Sequence, residues 1–422
     1  MPAQKRTMIW QKPEHTPAPA KSQQESAPSK LRQLLEQQLD RRRERHQFRA
    51  RRIMRILDAT HLEIDAKRCV NFAANNYLGL THHPQMIAIG GSMPHGAGSG
   101  AAGLVSGYTE THASAEASIA QWKSTQAAVL LPSGYQANLA AIQTFAALAA
   151  GTARGVRFLV DKLVHASLLD AVRGTELPFR IFPHNHLGKL ARLLQESEDS
   201  VLQVVITESI FSMDGDAADL SGIARLKRSV PFALLVDEAH ACGVYGDGGA
   251  GLLSELGFSE LADVTVCTLS KAAGGVGGAV CASRLFCDGV VNFGRAYIYS
   301  TAVPPWVALL AETAIDIMQK EPWRQQRVRE LALRVRARLA MEGVNLLPGN
   351  SPILPVILGE EQRTGRGTEV LLDAAMFVAA IRPPTVAPGT SRLRVTLSCD
   401  HTDGEIEHLV DSLIRISQST AT

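Results

Sequence analysis

The sequence predicts an α/β protein in which a large domain with a mainly parallel central sheet is followed by a smaller α+β C-terminal domain. Three observations carry that prediction. Short β-branched or apolar runs alternate with helix-length segments, those runs are apolar at consecutive positions, and Pro304 and Pro305 mark a change to a long helical stretch followed by shorter signals. A strand that is apolar on both sides is covered on both faces, which is the situation of a parallel sheet between helices.

Residues 1–30, rich in Pro, Gln, Ser, Lys and Ala, lack the apolar periodicity that offsets the entropy of ordering, and read as a disordered tail, with an organelle transit peptide as the alternative. From Leu31 the spacing of Leu31, Leu34, Leu35 and Leu39 predicts a helix, and residues 31–93 are read as this helix plus a first segment of the smaller domain. An arginine-rich stretch from Arg41 to Arg55 follows those leucines; it reads mostly as a solvated face, with one or two residues available to an anionic substrate. Within residues 94–305, the large domain, the strand candidates are AAVLLP, RFLVD, LQVVITE, FALLVDEAH and DVTVCTLS. A helix from roughly Trp306 to Met341 opens the C-terminal domain, residues 306–422, and ILPVIL and RLRVTLS are its strand signals.

Composition narrows the function classes. With 422 residues, 45% hydrophobic, 20% charged and a net charge of +2, the chain is neither a polyelectrolyte nor a disordered polymer, and its charge names no partner. Six cysteines without a CxxC argue against a disulfide framework or zinc knuckle and for reduced thiols. The pairs His82, His83 and His184, His186 lack the accompanying acids or thiols of a metal site, so no metal is expected. No apolar run approaches the ~18 residues of a membrane span and the N-terminus lacks the apolar core of a signal peptide, so the expectation is a soluble, cytoplasmic protein.

Two strand ends carry chemistry. FALLVDEAHACGVYG delivers Asp237, Glu238 and His240 at the carboxyl end of a buried strand, where open α/β sheets bind ligands; an acid capping the next helix explains the same pattern equally well. DVTVCTLSKAAGGVGG repeats the arrangement with Lys271. A desolvated lysine beside a buried acid is what an aldehyde cofactor such as pyridoxal 5'-phosphate requires: the amine forms a Schiff base and the carboxylate keeps the ring nitrogen protonated. In LLPSGYQANLAAI, Ser133, Gly134 and Tyr135 open a helix whose free amides attract a phosphate, although a plain Ser-Gly turn reads the same way.

The segments NFAANNYLGLTHHP, LVSGYTETH, PSGYQANL, DKLVHASLLDA, ITESIFSMDGD, VDEAHACGVYG, TLSKAAGGVGG, RAYIYSTAVPP and AAIRPPTVAPGTSRLRVTLS occur in the order found in the α-oxoamine synthases. The chain resembles that family, which consists of fold-type I pyridoxal phosphate transferases, over roughly residues 31–416. The resemblance implies that Lys271 carries the cofactor, Asp237 pairs with its ring nitrogen, His165 stacks on the ring and His240 bonds its phenolic oxygen. It further implies that Ser212 sets the cofactor's position and that Gly134, Tyr135 and Thr268 hold its phosphate. Arg382 would bind the amino-acid carboxylate with Asn75 nearby, and Arg49 would face the distal carboxylate of the acyl chain. A homodimer is implied, with Thr301 reaching the neighbour's phosphate.

YIYSTAVPP and AIRPPTVAPGT most resemble the branch that condenses L-alanine with a pimeloyl thioester in biotin synthesis, the carrier being coenzyme A or an acyl carrier protein. A sister synthase using glycine or serine with another acyl donor is the alternative. A noncatalytic, nucleic-acid-associated protein using the arginine cluster is a remote one. The triplet AAG in HGAGSGAAGLVSGY departs from the family pattern and bears on acyl preference.

Overall fold

A computed structural model of the chain describes residues 29–45, 47–150, 155–196 and 201–419. Of the tail expected over residues 1–30, all but the last two lie outside the described residues. The chain divides into two units, Met1–Ala50 and Arg51–Thr422. In the first, the helix Lys30–Glu44 forms where the leucine spacing predicts it. Its N-terminus is capped by Ser29, and Arg41, Arg42 and Arg43 occupy the last turn, where the helix dipole favours cations.

The second unit begins with three short strands, β1 (Arg55–Ile56), β2 (His61–Ile64) and β3 (Lys67–Asn71). The main sheet follows: β4 (Ala127–Leu131), β5 (Val156–Asp161), β6 (Phe179–Phe182), β7 (Leu202–Glu208), β8 (Ala233–Asp237), β9 (Val264–Thr268) and β10 (Gly278–Ala282). β11 (Ile353–Gly359), β12 (Met376–Phe377), β13 (Ala379–Ile381) and β14 (Ser391–Thr396) complete the set.

The seven-stranded sheet has the order β4-β10-β9-β8-β7-β5-β6. Its pairs from β6 through β9 are parallel, as the apolar runs predict, while β10 is antiparallel to both of its neighbours. β4, β9 and β10 are buried at every position, and apolar layers cover both faces of the sheet. Local pattern reads the segment after Lys271 as a glycine loop only. Its last glycine in fact starts β10, so that the β9–β10 turn presents Lys271 at the end of the sheet. β6, an edge strand with two exposed positions, is likewise absent from the strands expected from sequence.

Two smaller sheets serve the rest of the unit. β11, β14 and β13 form an antiparallel sheet, and β1, β2, β3 and β12 form another in which β3 and β12 run parallel. The single helix expected from Trp306 to Met341 is two helices, Pro305–Lys320 and Trp323–Met341. Pro322 separates them: it has no N–H to offer the preceding turn, so the first helix ends at Glu321, whose amide donates to the Ile317 carbonyl.

A buried histidine ties the ends of this unit together. His401 accepts the Ser398 amide at Nδ1 (3.0 Å) and donates from Nε2 to the Asn71 carbonyl (3.3 Å), with its ring centroid 4.3 Å from that of Phe72. A nitrogen that accepts a backbone N–H has no room for a proton, and burial pushes the ring down from 6.5 to about 4. The folded state thus binds fewer protons than the unfolded state between those values. Stability from this contact is present above about pH 6.5 and is lost as pH falls toward 4. The thermal midpoint is expected to drop over that interval, and less steeply in His401→Asn; equal slopes in the two proteins would remove His401 as the cause.

Candidate active site

Asp237 ends β8, buried, and its two carboxylate oxygens are differently engaged. Oδ1 accepts the Ala239 amide at 2.9 Å and Oδ2 accepts the Asn138 side-chain amide at 2.7 Å. The same Asn138 nitrogen donates to the Ser167 hydroxyl (2.9 Å), which lies 2.8 Å from His165 Nδ1. With its oxygen taken by Asn138, the Ser167 hydroxyl donates its proton to His165, whose Nδ1 also receives the Ser167 amide (3.3 Å). Two donors aimed at Nδ1 leave His165 neutral with its proton on Nε2; burial lowers its pKa, and Asp237 only partly opposes that.

Glu208 ends β7 directly beside Asp237 in register, fully buried, and accepts the His165 backbone amide. Burial first, and then the neighbouring Asp237, raise its pKa well above the usual carboxylate range. Lys271 sits one strand further, in the turn after β9, where burial lowers its pKa against the pull of Asp237 and Glu208. Among the described residues its amine has no hydrogen-bond partner.

A second chain of contacts fixes His240. Arg394, on β14 and buried, donates through Nη1 and Nη2 to Asn75 Oδ1 (3.2 and 3.3 Å) and through Nε to the Ser212 carbonyl (2.6 Å). The hydroxyl of Tyr77 lies 3.5 Å from the same Asn75 Oδ1 and 2.7 Å from His240 Nδ1. With Asn75 Oδ1 already accepting twice from Arg394, the Tyr77 proton goes to the shorter contact, Nδ1, and the His240 proton is on Nε2. Burial, with Lys271 and Arg394 nearby, lowers the His240 pKa well below its usual value.

The helix Gly134–Ala147 starts at the same edge of the sheet. Ser133 caps it by accepting the Gln136 amide at 3.1 Å, which leaves the Gly134 and Tyr135 amides at the helix head free for an anion. A side chain at Gly134 would come within 3.3 Å of the Thr268 side chain, and one at Gly278 would meet the Gly134 backbone at 2.6 Å. The helix head is therefore seated on the start of β10. Gly274, at φ +67, likewise packs against the Leu80–Thr81 backbone, so these glycines serve close approach of the chain to itself. A half-buried lysine with no hydrogen-bond partner among the described residues, a carboxylate with donors on both oxygens, two neutral histidines and a helix head beside Thr268 are a donor set that fits pyridoxal phosphate.

The other residues expected in the site are distributed as follows. Ser212 is buried in the loop after β7 and Asn75 meets Arg394. Tyr135 donates to Asp170 at 3.1 Å with its ring edge-on to His165. Thr268 donates to the Gly277 carbonyl at 3.1 Å, and Thr301 is exposed, its backbone bridged to Ala102. Arg382 follows β13, half-buried, with no ion pair among the described residues. Arg49 is exposed and belongs to the N-terminal unit. His83 and His186 each cap a helix, which accounts for one member of each histidine pair. Sequence reasoning misses Glu208, Tyr77, Asn138 and Arg394. Glu208 has the same signal as Asp237, an acid at the end of an apolar strand.

The turn carrying His240 has its own anchor. Glu238, fully buried, accepts Lys123 Nζ at 2.6 Å and the Leu253 amide at 3.0 Å, and Lys123 also donates to the Ala250 carbonyl. A side chain at Gly251 would come within 2.4 Å of Glu238, so the pair is tightly enclosed.

The aminotransferase class I and II family matches residues 67–413 of the chain. Among curated relatives, the 8-amino-7-oxononanoate synthase of Cellvibrio japonicus is 37% identical over 397 residues, 93% of this chain and 98% of its own. That of Alkalilimnicola ehrlichii is 38% identical over 387 residues, 91% and 97% of the two chains. Among solved structures, a serine palmitoyltransferase from S. paucimobilis, with PLP and myriocin bound, superposes with a TM-score of 0.84 at 26% identity, over 90% of this chain and 96% of that one.

Lys123→Met strands Glu238 as an unpaired buried charge and is expected to cost about 3–5 kcal/mol in chemical denaturation. Adding Glu238→Gln to Lys123→Met should recover part of that loss. A single variant within about 0.5 kcal/mol of the native chain would show the pair to be inconsequential.

Proposed function

The chain belongs to the aminotransferase class I and II family, in the group that holds the 8-amino-7-oxononanoate synthases, and we propose on that footing that it makes 8-amino-7-oxononanoate for biotin synthesis. The reaction joins L-alanine to a pimeloyl thioester, carried by coenzyme A or an acyl carrier protein, and releases carbon dioxide and the free thiol. Pyridoxal phosphate is the cofactor. The observation that carries this reading is a half-buried lysine, its pKa lowered by desolvation and its amine without a hydrogen-bond partner among the described residues, set against two buried carboxylates at strand ends beside an open helix head.

Bound pyridoxal phosphate supplies an electron sink for the charge left at the alanine Cα. Asp237, with the Asn138 and Ala239 donors on its two oxygens, would pair with the ring nitrogen. His165 would stack on the ring, and His240, with its proton on Nε2, would donate to the phenolic oxygen. The Gly134 and Tyr135 amides and Thr268 would hold the phosphate, and Ser212 would set the cofactor's position. Lys271, its pKa lowered by burial, takes the Cα proton as a neutral amine. The Cα–acyl bond forms as the C–S bond breaks, and the sulfur leaves as a thiolate that takes its proton from solvent. The Cα–carboxylate bond then breaks, carbon dioxide departs, and Lys271 returns a proton to Cα.

Two arginines are candidates for the alanine carboxylate. Arg394 is buried and close enough to depress both Lys271 and His240, which favours it as the fork that holds the carboxylate. Arg382 is proposed as a second contact, and Arg49, on motif position alone, for the distal carboxylate of the acyl chain. The same reading assigns residues 94–305 to cofactor binding, places the protein in the cytoplasm, and makes it a homodimer in which Thr301 reaches the partner's phosphate site. Among the described residues no helix is long and apolar enough to cross a membrane.

The likeness to serine palmitoyltransferase favours a second reading, serine with a longer acyl thioester. The 37% and 38% identities to alanine-branch relatives over nearly the whole chain outweigh the 26% of that match.

The violet absorbance of the cofactor-loaded protein should vanish in Lys271→Ala, and an unchanged spectrum would sink the cofactor assignment. Titration with alanine, glycine and serine separately should perturb the native spectrum most strongly with alanine; a response to serine alone selects the second reading. Arg394→Lys is expected to raise KM for alanine on the order of 10–100-fold, the loss of one charged hydrogen bond, with a smaller effect from Arg382→Lys. The reverse ranking would make Arg382 the principal anchor.

A further inference from the structure

Outside the residues assigned to the reaction, one cationic side chain stands between the two loops that carry His165 and Ser212. His184, just after β6, lies with Nδ1 3.0 Å from Asp161 Oδ1 and Nε2 2.7 Å from Asp216 Oδ2. A neutral imidazole has one N–H and one lone pair, and the lone pair would oppose whichever carboxylate it faced; both contacts are satisfied only by the doubly protonated ring. Burial works against that charge, but the hydrogen bonds to Asp161 and Asp216 push the pKa up to about 10.

Each carboxylate belongs to a different loop. Asp161 ends β5, four residues before His165, and also accepts the Leu163 amide (2.9 Å) and the Asn185 amide (3.0 Å). Asp216 belongs to the loop of residues 209–217, which carries Ser212, and its backbone carbonyl accepts the Phe211 amide at 2.9 Å. Asp216 Oδ1 is buried without a partner, so His184 is the only group that its side chain bonds among the described residues. The imidazole also stands edge-on to the Phe211 ring, with centroids 4.3 Å apart. On the opposite flank the same loop is held by Arg394 at the Ser212 carbonyl, Arg392 at Asp214, and the Ser351 hydroxyl at the Gly215 carbonyl.

We propose that His184 is a positioning residue: as a cation bonded to Asp161 and Asp216 it fixes the spacing between the His165 loop and the Ser212 loop, and so the two sides of the cofactor cleft. The consequence for the reaction rests on the reading of His165 and Ser212 as cofactor-facing; the loop coupling itself does not. Removing the cation leaves two carboxylates facing one another, and on this flank the 209–217 loop keeps the Asn185 side-chain bond to the Ala217 carbonyl at 2.9 Å.

His184→Gln supplies one donor and one acceptor and cannot serve both carboxylates. In the holoenzyme it is expected to weaken pyridoxal phosphate affinity about tenfold or more, to lower kcat with little change in KM for alanine, and to shift the pH midpoint of the violet band. In the apoprotein, amide hydrogen exchange should rise in residues 209–217 and not in β8 or β9. Adding Asp216→Asn removes the opposed charge and should restore at least part of the cofactor affinity. Native-like affinity and exchange in His184→Gln would overturn the proposal, as would a loss spread evenly over the sheet and unrelieved by Asp216→Asn. If His184→Gln does not fold, Asp216→Asn alone decides: loosened exchange in 209–217 with weaker cofactor binding supports the role, and no change in either refutes it. If the native chain never develops the violet band, the cofactor reading fails, while the apoprotein exchange still decides whether His184 couples the loops.

Discussion

Withdrawing an amine and two carboxylates from water at one end of a sheet is the constraint on which the site depends. Glu208, Asp237 and Lys271 follow one another across β7, β8 and β9, and each is stripped of most of its hydration. Unpaired, groups of this kind destabilise a fold severely, so each needs a specific answer. Asp237 has two amide donors, Glu208 has the His165 amide and a pKa shifted toward its neutral form, and Lys271 shifts toward its neutral amine. The proposed reaction draws on the same answers, a carboxylate held by donors and a free amine on neighbouring strand ends.

The hydrogen-bond chains around this cluster do for the histidines what burial does for the lysine. One chain runs Asp237, Asn138, Ser167, His165, and the other runs Arg394, Asn75, Tyr77, His240. In each, a hydroxyl brings the last donor to Nδ1. Both rings are left neutral with Nε2–H directed away from the chain that orients them, and neither depends on solvent for its tautomer.

The parallel part of the sheet was legible because β7, β8 and β9 are apolar on both faces. Lys271, Asp237 and His240 were legible because a polar residue at the end of such a strand leaves water at a cost that ligand binding can offset. β10 was not, since Gly278 begins it inside a run whose glycines have the local pattern of a loop; its strand character comes from pairing with β4 and β9 on either side. The break at Pro322 was written in the sequence but lay inside an otherwise periodic stretch. Arg394 was hidden for another reason: in RLRVTLS it alternates with Arg392 as a solvent-facing residue would, and only the packing of β14 against the Ser212 loop buries both. The identity of a buried arginine's partners is a tertiary fact that no local pattern contains.

The pairing of Asn75 with Arg394 spans 319 positions of the chain, and β3 joins β12 across a similar interval. During synthesis the seven strands of the main sheet are all available well before β14 leaves the ribosome, yet the Ser212 carbonyl and the side-chain oxygen of Asn75 have no guanidinium to meet until it does. The nascent protein therefore passes through a stage with a finished sheet and an unfinished cleft. Non-local closure of this kind is slow relative to the folding of the sheet's own neighbours. A polypeptide stalled or clipped before β14 retains the lysine, the acids and the helix head but lacks the strand that holds them in working relation, so the final strand acts as the catch that closes the enzyme.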